Sequence, residues 1–452
     1  MPRRLIFISA LLLILSYPPF DFGWLAWVAL VPWLISIEQA TPRQAFRRGY
    51  AVGLLFFGGT IWWLIHVTFI GTILLVAYLA LFFAFWGWSA RRFSSVLALP
   101  AAWVISEYLR STLLTGFGWN LLGHTQWRFI PMIQIADATG VYGVSFLVAL
   151  VNAALYLAYR RQGNKARVLG IALLALLTAM TYGFVRLHQL DSRYATGDSR
   201  ESFKVAVLQG SIPQTQKWDE AFAESIWKRY EELTRRAAQE KPNLIIWPET
   251  AVPGYLEEER VTRRLAGIAQ TASVPLLAGA PAGEITSTRV FNSAVLIDSH
   301  GKIEESYEKV HLVPFGEYVP LGPLFSWLRN FVLMGDFSSG HEFTVFHPLN
   351  HMPPFGVLIC FEDLFPELSR RFVKAGAQWL IVITNDAWFG QSAASLQHLQ
   401  ASVFRAVENR VWVVRAANTG FSGFIDPAGR VLKTQVPRFR PGLATAQIKG
   451  TE

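Results

Sequence analysis

The sequence is poor in cysteine and in recognisable metal or nucleotide motifs. Cys360 is the one cysteine in 452 residues, so no intrachain disulfide can form. The chain has no Cys/His cluster at zinc spacing, no P-loop, and no Gly-x-Gly-x-x-Gly stretch between a strand and a helix. These absences leave metal and nucleotide chemistry without support, and we expect neither a metal nor a cofactor.

Charged residues are also scarce, and they are unevenly placed. Only 16% of the residues are charged, whereas 52% are hydrophobic. Residues 1–190 are dominated by Leu, Ala, Phe, Trp and Val, and residues from 200 onward read as an ordinary globular sequence. The composition therefore predicts a polytopic α-helical membrane domain at 1–190, followed by an α/β domain at 200–445.

The first half has seven apolar runs, several of which approach the roughly 20 residues that a spanning helix needs. We therefore expect about seven spans. The first run resembles the core of a signal peptide, but Ser16-Tyr17-Pro18-Pro19-Phe20 follows it without a small-residue cleavage site. The runs lie at 5–16, 24–37, 49–66, 69–90, 95–109, 139–159 and 168–186.

The placement of basic residues explains the net charge of +9 without a nucleic-acid partner. Lys and Arg occupy the gaps 39–48, 90–92 and 160–167, and they are missing from the gaps 17–23 and 67–72. Basic loops of membrane proteins face the cytoplasm. The pattern predicts a lipid bilayer as the partner and places everything after about residue 187 on the outer face.

From residue 203 the pattern changes to short β-rich runs that alternate with helical stretches, which predicts a layered α/β fold. The predicted strands are 203–208, 244–247, 275–278, 290–297, 355–359, 380–384 and 411–416, and the predicted helices are 219–240, 257–272, 366–375 and 393–409.

Three titratable residues follow strand-like runs directly: Glu249, Lys309 and Cys360. The carboxyl ends of strands are where α/β sites assemble. A thiol needs a base or a positive neighbour to become a nucleophile. Glu249 is a candidate base, and Lys309 is a candidate donor to the oxyanion of a tetrahedral intermediate.

Each of these residues also has an ordinary structural interpretation. A solitary cysteine at a strand end is commonly a small core hydrophobe. A lysine in a Tyr-Glu-Lys run is commonly solvated, and a glutamate after a proline can cap a turn. The residues alone leave both interpretations open, and the surrounding segments decide between them.

Those segments resemble the signatures of a known superfamily. Ile246-Trp-Pro-Glu249-Thr, Tyr307-Glu-Lys309-Val-His-Leu-Val-Pro-Phe-Gly-Glu317-Tyr-Val-Pro and Ile359-Cys360-Phe-Glu362-Asp resemble, in order, the three signature segments of the nitrilase or carbon-nitrogen hydrolase superfamily. With the membrane half, and with Gly116-Phe-Gly-Trp-Asn and the stretch 137–146, the chain resembles the apolipoprotein N-acyltransferase family. The resemblance implies a nitrilase-like α-β-β-α sandwich.

The resemblance also implies a role for each matching residue. Glu249 matches the general base, Lys309 the residue that stabilises the intermediate, and Cys360 the nucleophile. Glu317 matches a second, supporting carboxylate, and Trp218 and Glu362 match further positions associated with activity. Phe361 replaces the tyrosine expected after the cysteine, so an aromatic contact remains without its hydroxyl.

The implied reaction has two steps. Cys360 takes an acyl chain from a phospholipid, expected to be the sn-1 chain of phosphatidylethanolamine, and passes it to the α-amine of a diacylglyceryl-cysteine at the N-terminus of an apolipoprotein. The implied location is the bacterial cytoplasmic (inner) membrane, with the catalytic domain on the outer, periplasmic face. Residues 446–452 form a tail in this interpretation, in which the family's final membrane helix is absent.

Two other functions and one structural element remain open at this stage. A membrane-tethered amidase or nitrilase would use the same residues with water as acceptor. A transporter or scaffold would carry an inactive nitrilase-like domain, although Glu107 is nearly the only charge that its spans offer. The apolar segment 321–334 is a candidate lipid-contacting lid, or else a buried helix.

Overall fold

The computed structural model describes residues 2–93, 95–160, 164–195, 202–283, 289–314, 316–318, 337–348 and 352–451. The chain divides into two compact units. The helical unit comprises Met1–Asp198 together with Ser392–Glu408, and the α/β unit comprises Ser199–Gln391 together with Asn409–Glu452. The candidate lid at 321–334 lies outside the described residues, so it stays a prediction.

The described residues among the first 195 of the helical unit are mostly helical. The capping box of Thr41 and Gln44 starts the fourth helix, because each side chain accepts from the other residue's backbone N–H. The helices are α1 (Pro2–Leu15), α2 (Ala26–Ala29), α3 (Val31–Ile37), α4 (Pro42–Thr60), α5 (Phe69–Arg92), α6 (Ala98–Thr112), α7 (Ile130–Ile133), α8 (Ala136–Tyr159) and α9 (Lys165–Ala195).

Three of these helices are long and apolar enough to cross a bilayer, judged by length and composition among the described residues: α5, α8 and α9. The most apolar stretch of α8 is 67% buried within the unit, whereas that of α9 is 17% buried. Helix α8 is therefore central, and α9 presents most of its apolar surface outward. The helical, apolar character of this half is as predicted, and the number of spans stays a prediction.

Helices α4 and α5 approach each other closely because glycines line their contact. A Cβ added to Gly49 would lie 2.4 Å from the carbonyl oxygen of Phe83, and one added to Gly53 would lie 2.7 Å from the Cα of Ala80. Small residues allow this approach in membrane helices, where packing replaces the hydrophobic effect as the driving force. Beside the contact, the rings of Trp33 and Phe83 stack with their centroids 5.6 Å apart.

Helix α14 (Ala394–Asn409) is nearly all part of the helical unit, although it follows the α/β sequence. The sequence predicts this helix but assigns it to the α/β half. The buried amide of Gln397 explains much of the difference, because it makes four hydrogen bonds within the helical unit. Its Nε2 donates to the carbonyls of Pro18 and Thr60 (3.1 and 2.9 Å), and its Oε1 accepts from the indoles of Trp119 and Trp63 (2.9 and 3.2 Å).

The α/β unit contains two six-stranded sheets, each with a parallel centre and antiparallel edges. Their orders are β12-β1-β2-β3-β4-β5 and β11-β10-β9-β8-β7-β6. The strands are β1 (Ser202–Gln209), β2 (Leu244–Ile246), β3 (Leu276–Ala282), β4 (Phe291–Ile297), β5 (Ile303–Glu308), β6 (Val345–Phe346), β7 (Phe355–Ile359), β8 (Trp379–Thr384), β9 (Trp412–Ala417), β10 (Ser422–Ile425), β11 (Val431–Val436) and β12 (Gly442–Lys449).

The sheets face each other through β1 and β9 and through β4 and β7. Helices α10 (Gln214–Lys217), α11 (Glu220–Gln239) and α12 (Glu259–Ala272) belong to the first sheet's layer, and α13 (Pro366–Lys374) packs on β7. Every residue of β7 and β8 is buried, as expected for parallel strands covered on both faces. The predicted α-β-β-α sandwich is confirmed. Strand β12 extends the first sheet into the stretch that the sequence assigns to a tail.

Candidate active site

The three candidate catalytic residues stand at strand ends that meet at one edge of the sandwich. Glu249 follows β2, Lys309 follows β5, and Cys360 follows β7. All three are buried: 4% of Glu249, 1% of Lys309 and 8% of Cys360 is exposed. The charges of Glu249 and Lys309 both act on the Cys360 thiol. The fold therefore brings together three residues that are far apart in the sequence.

Cys360 occupies a strained turn at the end of β7. Its φ of +54° is left-handed, a conformation that costs a non-glycine residue about 1 kcal/mol or more. Burial raises the pKa of Cys360 well above its usual value, and the charges of Glu249 and Asp386 raise it further. Lys309 and a hydrogen bond with the Thr384 hydroxyl act in the opposite direction. The resting group is therefore a thiol, which needs a base beside it before it can attack.

Glu249 has one carboxylate oxygen engaged and one available. Its Oε1 accepts from the Asn292 amide at 2.7 Å. Its Oε2 is buried without a hydrogen-bond partner in the described part of the chain. The backbone of Glu249 passes so close to β3 that a Cβ on Gly279 would lie 2.7 Å from its Cα. Only glycine fits there, and the unengaged oxygen is the atom that can accept a proton.

Lys309 is held by a carboxylate that the sequence also identifies. Its ammonium contacts both oxygens of Glu317, at 2.9 and 2.8 Å. Burial by itself lowers the pKa of Lys309, but the charges of Glu317, Cys360 and Glu249 outweigh it and raise the pKa above its usual value. Lys309 therefore stays positively charged in the site.

Asn292, on strand β4, joins the two carboxylates. Its Nδ2 donates to Glu249 at 2.7 Å and to Glu317 at 3.1 Å. The side chain is fully buried, so it fixes one carboxylate relative to the other. Sequence reasoning missed this residue. The available signal was a single amide in the apolar strand Phe-Asn-Ser-Ala-Val-Leu-Ile.

Glu362 ties the cysteine turn to the lysine segment. Its carboxylate accepts from the Tyr307 hydroxyl (2.9 Å) and from the backbone N–H groups of Val310 (2.8 Å), His311 (3.1 Å) and Ile359 (2.8 Å). Burial raises the pKa of Glu362 to about 7, against these hydrogen bonds. All four hydrogen bonds link Glu362 to the segments that carry Lys309 and Cys360.

The two predicted aromatic residues lie in different environments. Phe361 is buried and stacks with His311, with ring centroids 5.9 Å apart. Trp218 follows α10 and is 45% exposed. Its predecessor Lys217 points inward instead and donates to the Glu249 carbonyl at 2.8 Å. Sequence reasoning singled out Trp218 and missed Lys217.

Polar residues at the end of β8 form the remaining side of the site. Thr384 hydrogen-bonds with the thiol and donates to Asp386 at 3.3 Å. The signal in the sequence was Thr384-Asn-Asp386 directly after an apolar strand, the same pattern that identifies the three main candidates. No group of His, Cys, Asp and Glu in the described ranges is placed to hold a metal ion.

Comparisons with known proteins cover both units. Residues 9–154 match the family described as apolipoprotein N-acyltransferase N-terminal domain, and residues 204–451 match the carbon-nitrogen hydrolase family. A Saccharomyces cerevisiae structure described as a member of branch 10 of the nitrilase superfamily is 20% identical, with a TM-score of 0.44, over 55% of this chain and 90% of that one.

Curated relatives match along nearly the whole chain, and they carry one name, apolipoprotein N-acyltransferase. The protein from Geobacter metallireducens is 40% identical over 99% of this chain and 90% of its own length. Those from Pseudomonas syringae pv. tomato and Brucella melitensis are 33% and 34% identical, over 96% and 94% of this chain and 88% and 86% of their own lengths. The chain therefore belongs to the apolipoprotein N-acyltransferase family.

Proposed function

We propose that the chain transfers an acyl chain from a phospholipid, through a thioester on Cys360, to the α-amine of the N-terminal diacylglyceryl-cysteine of apolipoproteins. The donor we propose is the sn-1 ester of phosphatidylethanolamine. One observation carries the proposal: 40% identity along 99% of the chain to a relative named for apolipoprotein N-acylation. The buried cluster of Glu249, Lys309 and Cys360 supplies the chemistry that such a transfer needs.

In the first step the thiol attacks the ester carbonyl while Glu249 removes its proton. Because burial raises the pKa of Cys360, the thiolate forms only as the proton leaves. The Oε2 atom of Glu249, which has no partner among the described residues, accepts that proton. Glu249 then returns it to the alkoxide oxygen of the departing lysophospholipid, leaving the acyl group on sulfur.

Lys309 stabilises the charge that develops on the carbonyl oxygen. A permanent cation in a water-poor site interacts more strongly with an oxyanion than it would in water. The bond from Lys309 to Glu317, at 2.8 Å, keeps the ammonium in place and offsets the cost of burying it. Glu317 therefore acts through Lys309 rather than on the substrate.

In the second step the lipoprotein α-amine attacks the thioester. Glu249 takes a proton from the attacking nitrogen, the C–S bond breaks, and the proton passes to the cysteine sulfur. The products are an amide and the original thiol, so the site is ready for another lipid. The same three residues serve both steps because each step needs one proton acceptor and one cation near the carbonyl oxygen.

A bilayer around the helical unit would remove a large energetic obstacle. Moving an acyl chain of roughly sixteen carbons into water costs on the order of 12 kcal/mol, at about 0.8 kcal/mol per CH2. The chain is a membrane protein, as its long apolar helices indicate. We propose that it lies in the bacterial cytoplasmic (inner) membrane with its α/β half on the outer, periplasmic face, where both lipid substrates meet.

The acceptor is tested by supplying purified protein with phosphatidylethanolamine labelled in its sn-1 chain, with and without a diacylglyceryl apolipoprotein. We expect label on the lipoprotein amine in wild type and none with Cys360→Ala. Lys228→Met, an exposed change on α11, is the control and should transfer normally. Release of ammonia from small amides, with no labelled lipoprotein, would instead support the membrane-tethered amidase.

A further inference from the structure

Lys217 is a buried cation next to the candidate base, and the proposed reaction gives it no role. Only 7% of the residue is exposed. Its ammonium donates to the backbone carbonyl of Glu249 at 2.8 Å. It also interacts electrostatically with the Glu249 carboxylate and with Cys360. A buried ammonium is costly unless it has a compensating partner, so its place beside these two groups needs an explanation.

The turn that carries Lys217 is fixed by hydrogen bonds to the ends of β8 and β9. Asn385 donates to the Gln214 side chain at 2.8 Å. Asn418 accepts from the Ile212 backbone N–H at 2.9 Å and donates to the Ile212 carbonyl at 2.8 Å. Asn418 also donates to Asn385 at 3.0 Å. This network sets the direction of α10, and with it the position of the Lys217 side chain.

Charge balance shows what a second lysine provides. Lys309 forms an ion pair with Glu317 at 2.8 Å, so that pair is neutral by itself. Glu249 hydrogen-bonds to the uncharged Asn292, and its carboxylate still needs a cation. Lys217 is the cation that interacts with it in addition to Lys309. Without Lys217, the negative charges of Glu249 and Asp386 would be opposed at the thiol by Lys309, which already pairs with Glu317.

We propose that Lys217 is a positioning residue of this site: its ammonium holds the Glu249 main chain and supplies a second positive charge, in addition to that of Lys309, beside the Glu249 carboxylate and the Cys360 thiol. This inference rests on the proposed function, because it takes Cys360 as the nucleophile and Glu249 as its base. Lys217 acts through Glu249 and through the local field, not by contact with the substrate.

The charge of Lys217 is itself sensitive to pH. Burial lowers the pKa of Lys217 to about 8, while the charges of Glu249 and Cys360 oppose that shift. Besides Lys217, the groups that act on the thiol are Glu249, Lys309 and Asp386, together with the Thr384 hydroxyl. Of the two lysines, Lys309 has its pKa raised. Lys217 is therefore the one that loses its charge first as the pH rises.

The test is the pH dependence of iodoacetamide alkylation at Cys360 in the purified full-length protein. Cys360 is the only cysteine, so the signal is unambiguous. Lys217→Gln keeps a donor for the Glu249 carbonyl but removes the charge. Because Lys217 is charged only below its pKa of about 8, we expect Lys217→Gln to be alkylated about tenfold more slowly than wild type at pH 7, equivalent to a thiol pKa about one unit higher, and to approach the wild-type rate well above pH 8. Lys217→Arg, which stays charged, should match the wild-type rate at pH 7 and react faster than wild type above about pH 8.

Lys228→Met is the matched control for loss of a lysine charge, and it should leave the profile unchanged. Lys217→Met gives a second neutral variant if thermal melting shows that the glutamine variant is unfolded. A wild-type alkylation rate at pH 7 in a folded neutral variant would overturn the inference, as would equal slowing in Lys217→Arg. If alkylation at pH 7 slows as expected while lipid label never reaches Cys360, the charge role stands and the lipid reaction fails.

Discussion

Asn292 illustrates how one buried amide can organise a site made of charged residues. Its Nδ2 donates to both Glu249 and Glu317, so the proposed base and the partner of Lys309 share one fixed support. Hydrogen bonds to charged groups contribute about 1.5–3 kcal/mol each. The amide carries no charge and so adds no repulsion to a site that already holds several carboxylates.

Asn292→Asp should disable the site without a large change in size. The new carboxylate cannot donate, and it repels both neighbours. We expect the rate of Cys360 acylation from labelled phospholipid to fall by about a hundredfold or more, which corresponds to the loss of two hydrogen bonds of about 1.5 kcal/mol each. Asn243→Asp is the control, because Asn243 is exposed and its Oδ1 accepts from the Lys204 N–H at 2.8 Å, which aspartate can still do. Acylation of Asn292→Asp within twofold of wild type would contradict this role.

At the scale of elements, the ends of the strands position the side chains of the site. Close packing between neighbouring strands fixes those strand ends. The turn that carries Glu249 lies against β3 at Gly279, where a Cβ would come within 2.4 Å of the Pro248 carbonyl oxygen. That neighbour is backbone and cannot rotate away. The position of Glu249, the proposed base, therefore depends on Gly279 of the next strand.

Gly279→Ala should move Glu249 and lower the stability of the α/β unit. Overpacking of this kind costs roughly 1–3 kcal/mol, so we expect a lower melting temperature together with slower acylation of Cys360. Gly267→Ala on α12 is the matched control, because a Cβ there meets nothing within 4 Å. It should be neutral or stabilising, by about 0.5–1 kcal/mol. Equal melting temperatures and equal acylation rates for the two variants would rule out the packing argument.

The sequence predicts well those elements whose own residues carry a clear hydrophobic pattern. The apolar runs at 355–359 and 380–384 became β7 and β8, because continuous burial leaves a continuous hydrophobic signal. Strand β11 has an exposed centre of Lys, Thr and Gln, so its signal is weak, and β6 is two residues long. The sequence of α14 does not show to which unit the helix belongs, because the hydrogen-bond partners of Gln397 lie more than 270 residues away in the chain.

The same distinction applies to the candidate site. Glu249, Lys309, Glu317 and Cys360 stand in long specific segments, so the sequence identifies them. Lys217 and Asn292 matter only because the fold brings α10 and β4 to the same place. A single lysine or asparagine has no sequence signature of that role.

At the scale of the whole molecule, the proposed orientation depends on the basic loops of the helical unit. Arg160 pairs with Glu38 at 2.8 Å, and Arg91 donates to the Ala40 carbonyl at 2.9 Å. These contacts link residues of the three basic gaps or their flanks. The loops at 17–23 and 110–138 contact each other through the hydrogen bond from Trp127 to Asp21 at 2.9 Å. Basic loops at one end support a cytoplasmic assignment for that end.

Labelling of introduced cysteines in intact cells tests the orientation. In a Cys360→Ala background, we expect Lys228→Cys to react with a membrane-impermeant maleimide, because the α/β half is proposed to lie outside. Lys165→Cys, at the basic end of α9, should react only after the cells are broken. Both positions are exposed, so accessibility within the protein is matched. The opposite labelling pattern would reverse the proposed orientation.

The acyl-enzyme on Cys360 is the central claim, and intact-peptide mass spectrometry tests it directly. The protein is incubated with phosphatidylethanolamine, without lipoprotein acceptor, and is digested under mild, non-reducing conditions. The account predicts a peptide containing Cys360 that carries the mass of one acyl chain, is cleaved by hydroxylamine, and disappears when an apolipoprotein acceptor is added. A Cys360 peptide that stays unmodified, while labelled lipoprotein still forms, would contradict it.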